Sequence, residues 1–426
     1  MRDLGPVRRA GRVNYGQVVE IPARRSGPGR RVLLLLPAGV AMLAGLDAAL
    51  LLLGLPAPVR VDRLPDVHGP LMVLGFVGTL VALERAVALA PGTAGERRRP
   101  WAWFAPGGLG LGGLLLVTPA PLEAGQVCQT VGAAVLVALY VAAWGRRADP
   151  AIAVQGLGAV CALGAAVLWW AGVPVPSLVA WLVGFLVLTI AGERLELMRI
   201  APVPAAAEHG FVGASLGVVT GAAFALVWPQ VGTAVLGASL VALVVVLGRF
   251  DVARRTVRGH GLPRFMAVAM LTSFAWLAVA GAIWLVGGPT VGGPSYDAVL
   301  HAVFLGFVMS MVMAHAPVIF PAVLRRPLPY RPVMYVPLAL LHVTLALRLL
   351  VGDARDLAWA VQAGGVGNIV AVLAFVVVAV TSVVLGAPRT APRARRAPRD
   401  ASVPGPAEGA APGAGERRVV GLGVGA

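Results

Sequence analysis

Long apolar runs, broken by short stretches rich in Arg, Pro and Gly, set the rhythm of this chain. Crossing about 30 Å of hydrocarbon as a helix takes roughly 20 residues, and run after run meets that length. Twelve are placed, at roughly 32–54, 68–90, 101–119, 126–145, 151–171, 176–198, 209–228, 230–248, 265–287, 298–322, 332–351 and 361–385. The pattern predicts an all-α polytopic membrane protein with about twelve transmembrane helices in residues 32–385. The first run follows a long Arg-rich segment and lacks a convincing cleavage site, so it reads as a retained span rather than a signal peptide. Residues 1–31 and 386–426 carry Arg, Pro, Gly and Ala without apolar periodicity and are expected to be disordered cytoplasmic tails.

The few polar positions inside the runs are not scattered. Gly-Phe, seven residues, then a polar position recurs as Gly75-Phe76…Glu84-Arg85, Gly184-Phe185…Glu193-Arg194 and Gly306-Phe307…His315-Ala316. These copies fall on predicted helices 2, 6 and 10, a period of four helices. A pseudo-threefold arrangement of four-helix units follows, with the three repeat helices running in the same direction.

Composition agrees with membrane residence. Hydrophobic residues make up 58% of the chain and charged residues 13%, with a mean hydropathy of +0.84, too little charge for a water-exposed surface. The net charge of +16 comes from Arg alone, since the chain has no Lys. With the N-terminus in the cytoplasm, cytoplasmic segments hold Arg97 to Arg99, Arg146, Arg147, Arg199, Arg249 to Arg264, Arg325, Arg326 and Arg331, whereas outer loops hold Arg60, Arg63 and Arg355. This is the positive-inside asymmetry, and it predicts a plasma (inner) membrane protein with both termini cytoplasmic. The basic charge therefore records topology and attraction to the lipid bilayer; nucleic acid is not expected as a partner.

Ionisable residues inside a bilayer are costly, so the short list of them carries the candidate chemistry. His68 and His301 sit at similar depth near the outer ends of helices 2 and 10. Two neutral imidazoles on parallel helices can ligate a haem iron from opposite sides, and Arg348, with Arg355, Arg60 and Arg63, could then pair with the propionates. The alternative is that both histidines are interfacial residues hydrogen-bonded to neighbours. The Glu-Arg pairs ending helices 2 and 6 read as snorkelling charges paired with a neighbouring helix, or as part of a proton or ion path. His315 and His342, with Met309, Met311 and Met313 above, define a conceivable Cu(I) site, although Met at alternate positions does not form one helical face. Asp47 is expected to pair with an outer Arg or to orient a ligand histidine. Cys128 and Cys161 lack ligand spacing and read as small apolar residues.

The segment His68-Gly-Pro-Leu-Met72-Val-Leu-Gly75-Phe76 resembles the His-x3-Met-x2-Gly-Phe signature of the NnrS family, and His301-Ala302…Gly306 is similar to that family's later His-Ala-x3-Gly helix. The resemblance implies a multi-pass haem- and copper-containing membrane protein associated with nitric oxide stress. NnrS proteins usually carry a second His two residues from the first; Asp66 and Pro70 stand there instead. More remotely, the plan is similar to subunit I of haem–copper oxidases, whose twelve helices form three arcs with low-spin haem ligands on helices 2 and 10. The oxidase copper histidines have no counterpart on helix 6, so no oxygen-reducing centre is expected, and whether the chain is an enzyme is left open.

The leading expectation is thus a b-type haem held by His68 and His301, serving electron transfer with a redox partner, gas sensing or nitric oxide tolerance. A cofactor-free transporter or exporter is the alternative, since repeated multi-span units suit that class too. A structural or assembly protein with merely interfacial histidines is the third.

Overall fold

The computed structural model describes residues 33–91, 98–199 and 203–386; the two predicted tails, Gly386 apart, lie outside the described residues. Among these every regular element is helical, and eleven helices are long and apolar enough to cross a membrane. In chain order they are α1 (Leu35–Leu52), α2 (Leu64–Leu89), α4 (Leu122–Arg146), α5 (Pro150–Trp170), α6 (Val175–Met198), α7 (Ala205–Val227), α8 (Pro229–Phe250), α9 (Gly261–Gly287), α10 (Gly293–Val323), α11 (Pro332–Arg355) and α12 (Ala358–Leu385). The predicted third run becomes the shorter α3 (Phe104–Leu116), preceded by a 3₁₀ turn at Pro100–Trp103. Prolines at 119 and 121 end its run early, because Pro cannot continue a helix. The chain is therefore an all-α, polytopic membrane protein.

Backbone chemistry dictates that choice. In hydrocarbon each N–H and C=O must be satisfied within the segment, which leaves helices as the solution for separate spans. Starts are set by proline: Pro65, Pro150, Pro176, Pro229, Pro294 and Pro332 each stand at the first or second helical position, where a missing N–H costs nothing. Pro65 and Pro294 begin α2 and α10 about a turn earlier than hydropathy alone indicated. His68 and His301 consequently lie inside their helices, not at the ends.

The repeat organises the packing. Helices α2, α6 and α10 touch one another, and the outer helices close around them through contacts of α4 with α5, α8 with α9 and α12 with α1. Residue pairs fix the direction: Gly69 near the start of α2 meets Val175 at the start of α6, and Arg85 meets Glu193 near both ends. In each copy the glycine faces the preceding helix. A Cβ at Gly75 would lie 3.2 Å from Ala41 of α1, at Gly184 2.9 Å from Cys161 of α5, and at Gly306 2.4 Å from Trp276 of α9. The accompanying Phe76, Phe185 and Phe307 are all buried. Close approach of backbones through small residues is how apolar helices associate when the solvent is as apolar as they are. Cys161 is explained by the same contact.

Four of the helices depart from α geometry. α2 is π-helical over Leu71–Gly78, α10 over Ala302–Met309 and α11 over Leu347–Gly352; a shorter π segment ends α9 at Ile283–Gly287. The remaining repeat helix, α6, is regular throughout. In α2 the cause is visible, since Pro70 has no N–H to return to the preceding turn. α10 reaches the same geometry with no proline in the π segment.

The glycine contacts make a direct prediction. Gly306→Ala should lower the melting temperature in detergent, because its methyl group meets the Trp276 ring and backbone-proximal Cβ atom. Gly107→Ala, on α3 with nothing within 4 Å of the place its methyl group would take, should leave it unchanged or raise it, since Ala is favoured over Gly in a helix by about 1 kcal/mol. Equal losses in the two variants would count against the packing described.

Candidate functional site

At the starting end of α2 and α10 the structure assembles His68, His301, Asp297 and Arg348. Asp297 lies one turn before His301, and Arg348 comes across from the π segment of α11. Its guanidinium forms a two-point bond with the Asp297 carboxylate, Nε to Oδ2 at 2.8 Å and Nη2 to Oδ1 at 2.7 Å. The fork geometry of Arg suits that pairing, and Arg348 itself is buried. Asp297 in turn holds His301, whose Nδ1 is 2.9 Å from the Asp297 backbone oxygen and 3.2 Å from Oδ1. His68 is anchored separately: its Nδ1 is 2.9 Å from the Gly45 carbonyl of α1.

These bonds set the tautomers. A carbonyl oxygen only accepts, so Nδ1 must carry the proton in both rings, and the lone pair lies on Nε2. His68 stands close enough to His301, Arg348 and Asp297 for their charges to interact. Neither ring is sealed by packing; His301 keeps 18% of its side-chain surface and His68 is half-buried. Both histidines are followed at once, or within three residues, by the π segments of α2 and α10, and Arg348 lies within that of α11. π segments inside helices are rare and concentrate at functional sites.

The structure thus brings together three of the five residues singled out by sequence and separates the other two. His315 donates from Nδ1 to the Met311 carbonyl at 2.8 Å, so its Nε2 accepts from Arg194 Nη1 at 3.1 Å. His342 accepts on Nδ1 from the Trp276 indole N–H at 2.9 Å, which leaves Nε2–H to donate to Thr272 Oγ1 at 3.0 Å. Both rings have their nitrogens taken up, and a guanidinium stands where copper would bind His315. His342 lies level with Ser310, with His315 roughly 7 Å farther along α10. Among the described residues no three His, Cys, Asp or Glu side chains converge as metal ligands. These residues do not fit a copper site.

Asp47 also differs from expectation. Among the described residues it pairs with no Arg, and it does not orient His68, a task taken by Gly45; its Oδ1 instead accepts from the Val59 N–H at 3.2 Å. His209 and His260 are exposed.

The opposite end of the three repeat helices holds a second polar assembly. Arg85 Nη2 bridges α2 to Glu193 of α6 at 2.5 Å, with its guanidinium 5.9 Å from the centre of the Tyr140 ring. Arg194, 2% exposed, bonds Asp251 Oδ2 at 2.9 Å, the Met270 sulfur at 3.0 Å and His315. The Glu-Arg pairs therefore do pair with neighbouring helices, but Arg194 is buried rather than snorkelling to an interface. Asp251, missed in the sequence because it follows α8 in a connecting segment, also accepts from the Ala253 N–H at 2.7 Å. Glu84, Glu193 and His315 face a cavity of about 90 Å³ bounded by α2, α6 and α10. In the nearby α4–α5 connection, burial pushes the Asp149 carboxyl up, but bonds from Arg147, the Ala151 N–H and Arg199 outweigh it and hold the group below its usual value. That contribution to stability is present at neutral pH and fades as acid protonates the carboxylate.

Removing Asp251's charge tests the buried pair. Asp251→Asn keeps the bond to Ala253 and strands the Arg194 cation, so a loss of about 3–5 kcal/mol is expected, read as a lower melting temperature and yield. Adding Arg194→Met should recover most of it. A single variant as stable as the parent would mean that Arg194 is solvated.

A family model described as a domain of unknown function (DUF8744) matches residues 31–384, and the chain belongs to that family. No curated protein matches it.

Proposed function

We propose that this member of the DUF8744 family is an integral membrane haem-binding protein that holds one b-type haem between His68 and His301. The observation that carries the reading is the pair of neighbouring imidazoles, on two parallel helices, each pinned through Nδ1 to a backbone carbonyl with Nε2 left to bind. That is the tautomer and orientation that a metal-ligating histidine takes, fixed by the bond on its other nitrogen. Two such ligands without a third would suit a haem, with His68 and His301 holding its iron, better than a closed metal site, which needs three or four protein groups. Bound there, haem would supply reversible one-electron transfer.

The chain's own residues have distinct tasks in this reading. Gly45 and Asp297 orient the two rings. Arg348 holds Asp297 in place through Nε and Nη2, which leaves the outer N–H groups of its guanidinium for a propionate, a narrower role than the sequence suggested. The π segments of α2 and α10 begin within three residues of the two rings. Electron transfer, gas sensing and nitric oxide tolerance all remain compatible with such a site. The Arg distribution supports an orientation with both termini in the cytoplasm and the histidine cluster toward the outer face of the plasma membrane.

The cavity lined by Glu84, Glu193 and His315 favours a second reading, a cofactor-free transporter moving protons or small ions through the three repeat helices. Spectroscopy separates the two. Protein purified from haem-replete cells should show about one b-type haem per chain in reduced-minus-oxidised spectra. His68→Ala and His301→Ala should each abolish the signal, whereas His342→Ala, whose ring nitrogens serve Trp276 and Thr272, should keep it. Full haem retention in both ligand variants, or a colourless and monodisperse parent protein, would overturn the haem reading.

A further inference from the structure

A second cavity, of about 470 Å³, lies in the seam where α12 closes against α1. Its walls are aliphatic: Val40, Leu43 and Leu50 of α1, Ile369 and Leu373 of α12, and Val59 of the connecting loop. Val40, Leu43, Val59 and Leu373 are also exposed, so the space opens sideways toward hydrocarbon rather than into the bundle. Asp47 is the one ionisable residue lining it among the described residues. Asp47 as a residue is more than nine-tenths buried; Oδ1 is spent on the Val59 N–H, and Oδ2 is buried with no hydrogen-bond partner among the described residues.

An uncompensated carboxylate oxygen in apolar surroundings is costly, and native structures rarely leave one without a use. A bare cation would satisfy Oδ2 but leave the aliphatic remainder unfilled. A hydrocarbon chain would fill the space and leave the oxygen stranded. The complement to both features is an amphiphile with a hydrogen-bond donor at one end, and the volume falls within the usual range for small-molecule sites. Asp47 is five residues from the end of α1, so the polar end would sit near the interface while Leu43 and Val40 lead about 10 Å deeper along the helix.

We propose that this cavity binds a lipid-soluble molecule with a hydroxyl head group, the hydroxyl donating to Asp47 Oδ2 and the apolar part lying along Leu43, Val40 and Leu373. Two sources share that chemistry, an aromatic diol dissolved in the membrane and a hydroxyl-headed glycerophospholipid. The site does not depend on haem. It is nonetheless placed next to the histidine cluster: Gly45, which holds His68, and Asp47 are about 200° apart on α1, so one helix separates the two.

The test uses the full chain in phosphatidylcholine nanodiscs, whose head groups lack hydroxyls. A naphthoquinol with a short isoprenoid tail is added in one arm and phosphatidylglycerol in the other, with binding followed by native mass spectrometry and equilibrium titration. Saturable one-to-one binding is expected in one arm, and the arm that binds identifies the source. Asp47→Asn presents an amide donor where Oδ2 accepts and should weaken binding at least tenfold. Leu43→Trp, at an exposed position that tolerates bulk, should block the cavity while the melting temperature holds. The quinol dimethyl ether should not compete. Equal binding by Asp47→Asn and the parent, competition by the ether, or no saturable binding in either arm would overturn the proposal.

Discussion

In hydrocarbon an ionised group has no solvent to fall back on, and this constraint shapes the centre of the molecule more than any apolar contact. Arg194 is 2% exposed and carries its charge at one end of the bundle core. It can remain there because Asp251, Met270 and His315 converge on it from α9, α10 and the segment after α8. One side chain thus ties the second repeat helix to the third unit of the chain. Arg85 does the corresponding work between α2 and α6 through Glu193. The three repeat helices are fastened at this end by charge and held along their length by the glycine contacts. At their opposite ends two of them each carry a histidine, His68 and His301, held through its Nδ1.

Divergence among the three copies separates structure from chemistry. All keep the Gly-Phe pair, because every copy must pack its backbone against the preceding helix. The copy in α6 keeps regular α geometry and has no histidine. The copies in α2 and α10 carry both a histidine and a π segment. The third copy also exchanges Glu-Arg for His315-Ala316, which lets Arg194 find an acceptor instead of a competing cation. A shared scaffold with local departures in two members of three is what a site grafted onto a repeat would look like.

The hydrogen bonds at the histidine cluster are ordered: Arg348 and His301 both donate to Asp297, and His68 donates separately to Gly45 on another helix. Each link uses a different element, so the geometry of the ligand pair depends on α1, α2, α10 and α11 together. Rings that must point at one another across a gap need such support from outside their own helices. The seam between α1 and α12 adds a lateral opening beside the same cluster, with a carboxylate oxygen inside it.

Much of this was readable along the chain. Hydropathy is a local property, so the spans, their number to within α3, and the all-α membrane class follow from sequence. The repeat is likewise a matter of linear spacing, and its three copies fall on α2, α6 and α10; that these helices touch is a finding of the structure. His68, His301 and Arg348 stood out because ionisable residues are expensive inside apolar runs. What sequence could not decide was the partner of each polar atom, since partners 50 to 120 residues apart are chosen by packing. Nothing in the linear pattern marked Asp297 or Asp251, which take their roles from Arg348 and Arg194 across the fold. His315 and His342 looked like a pair, yet each had already been claimed by a neighbour on another helix. The π segments too were hidden, for only Pro70 announced one. The sequence by itself determined which residues lie in the membrane and which of them are polar; tertiary structure decided which nitrogens and oxygens are left unspent, because only close packing in a low-dielectric interior assigns every donor to an acceptor.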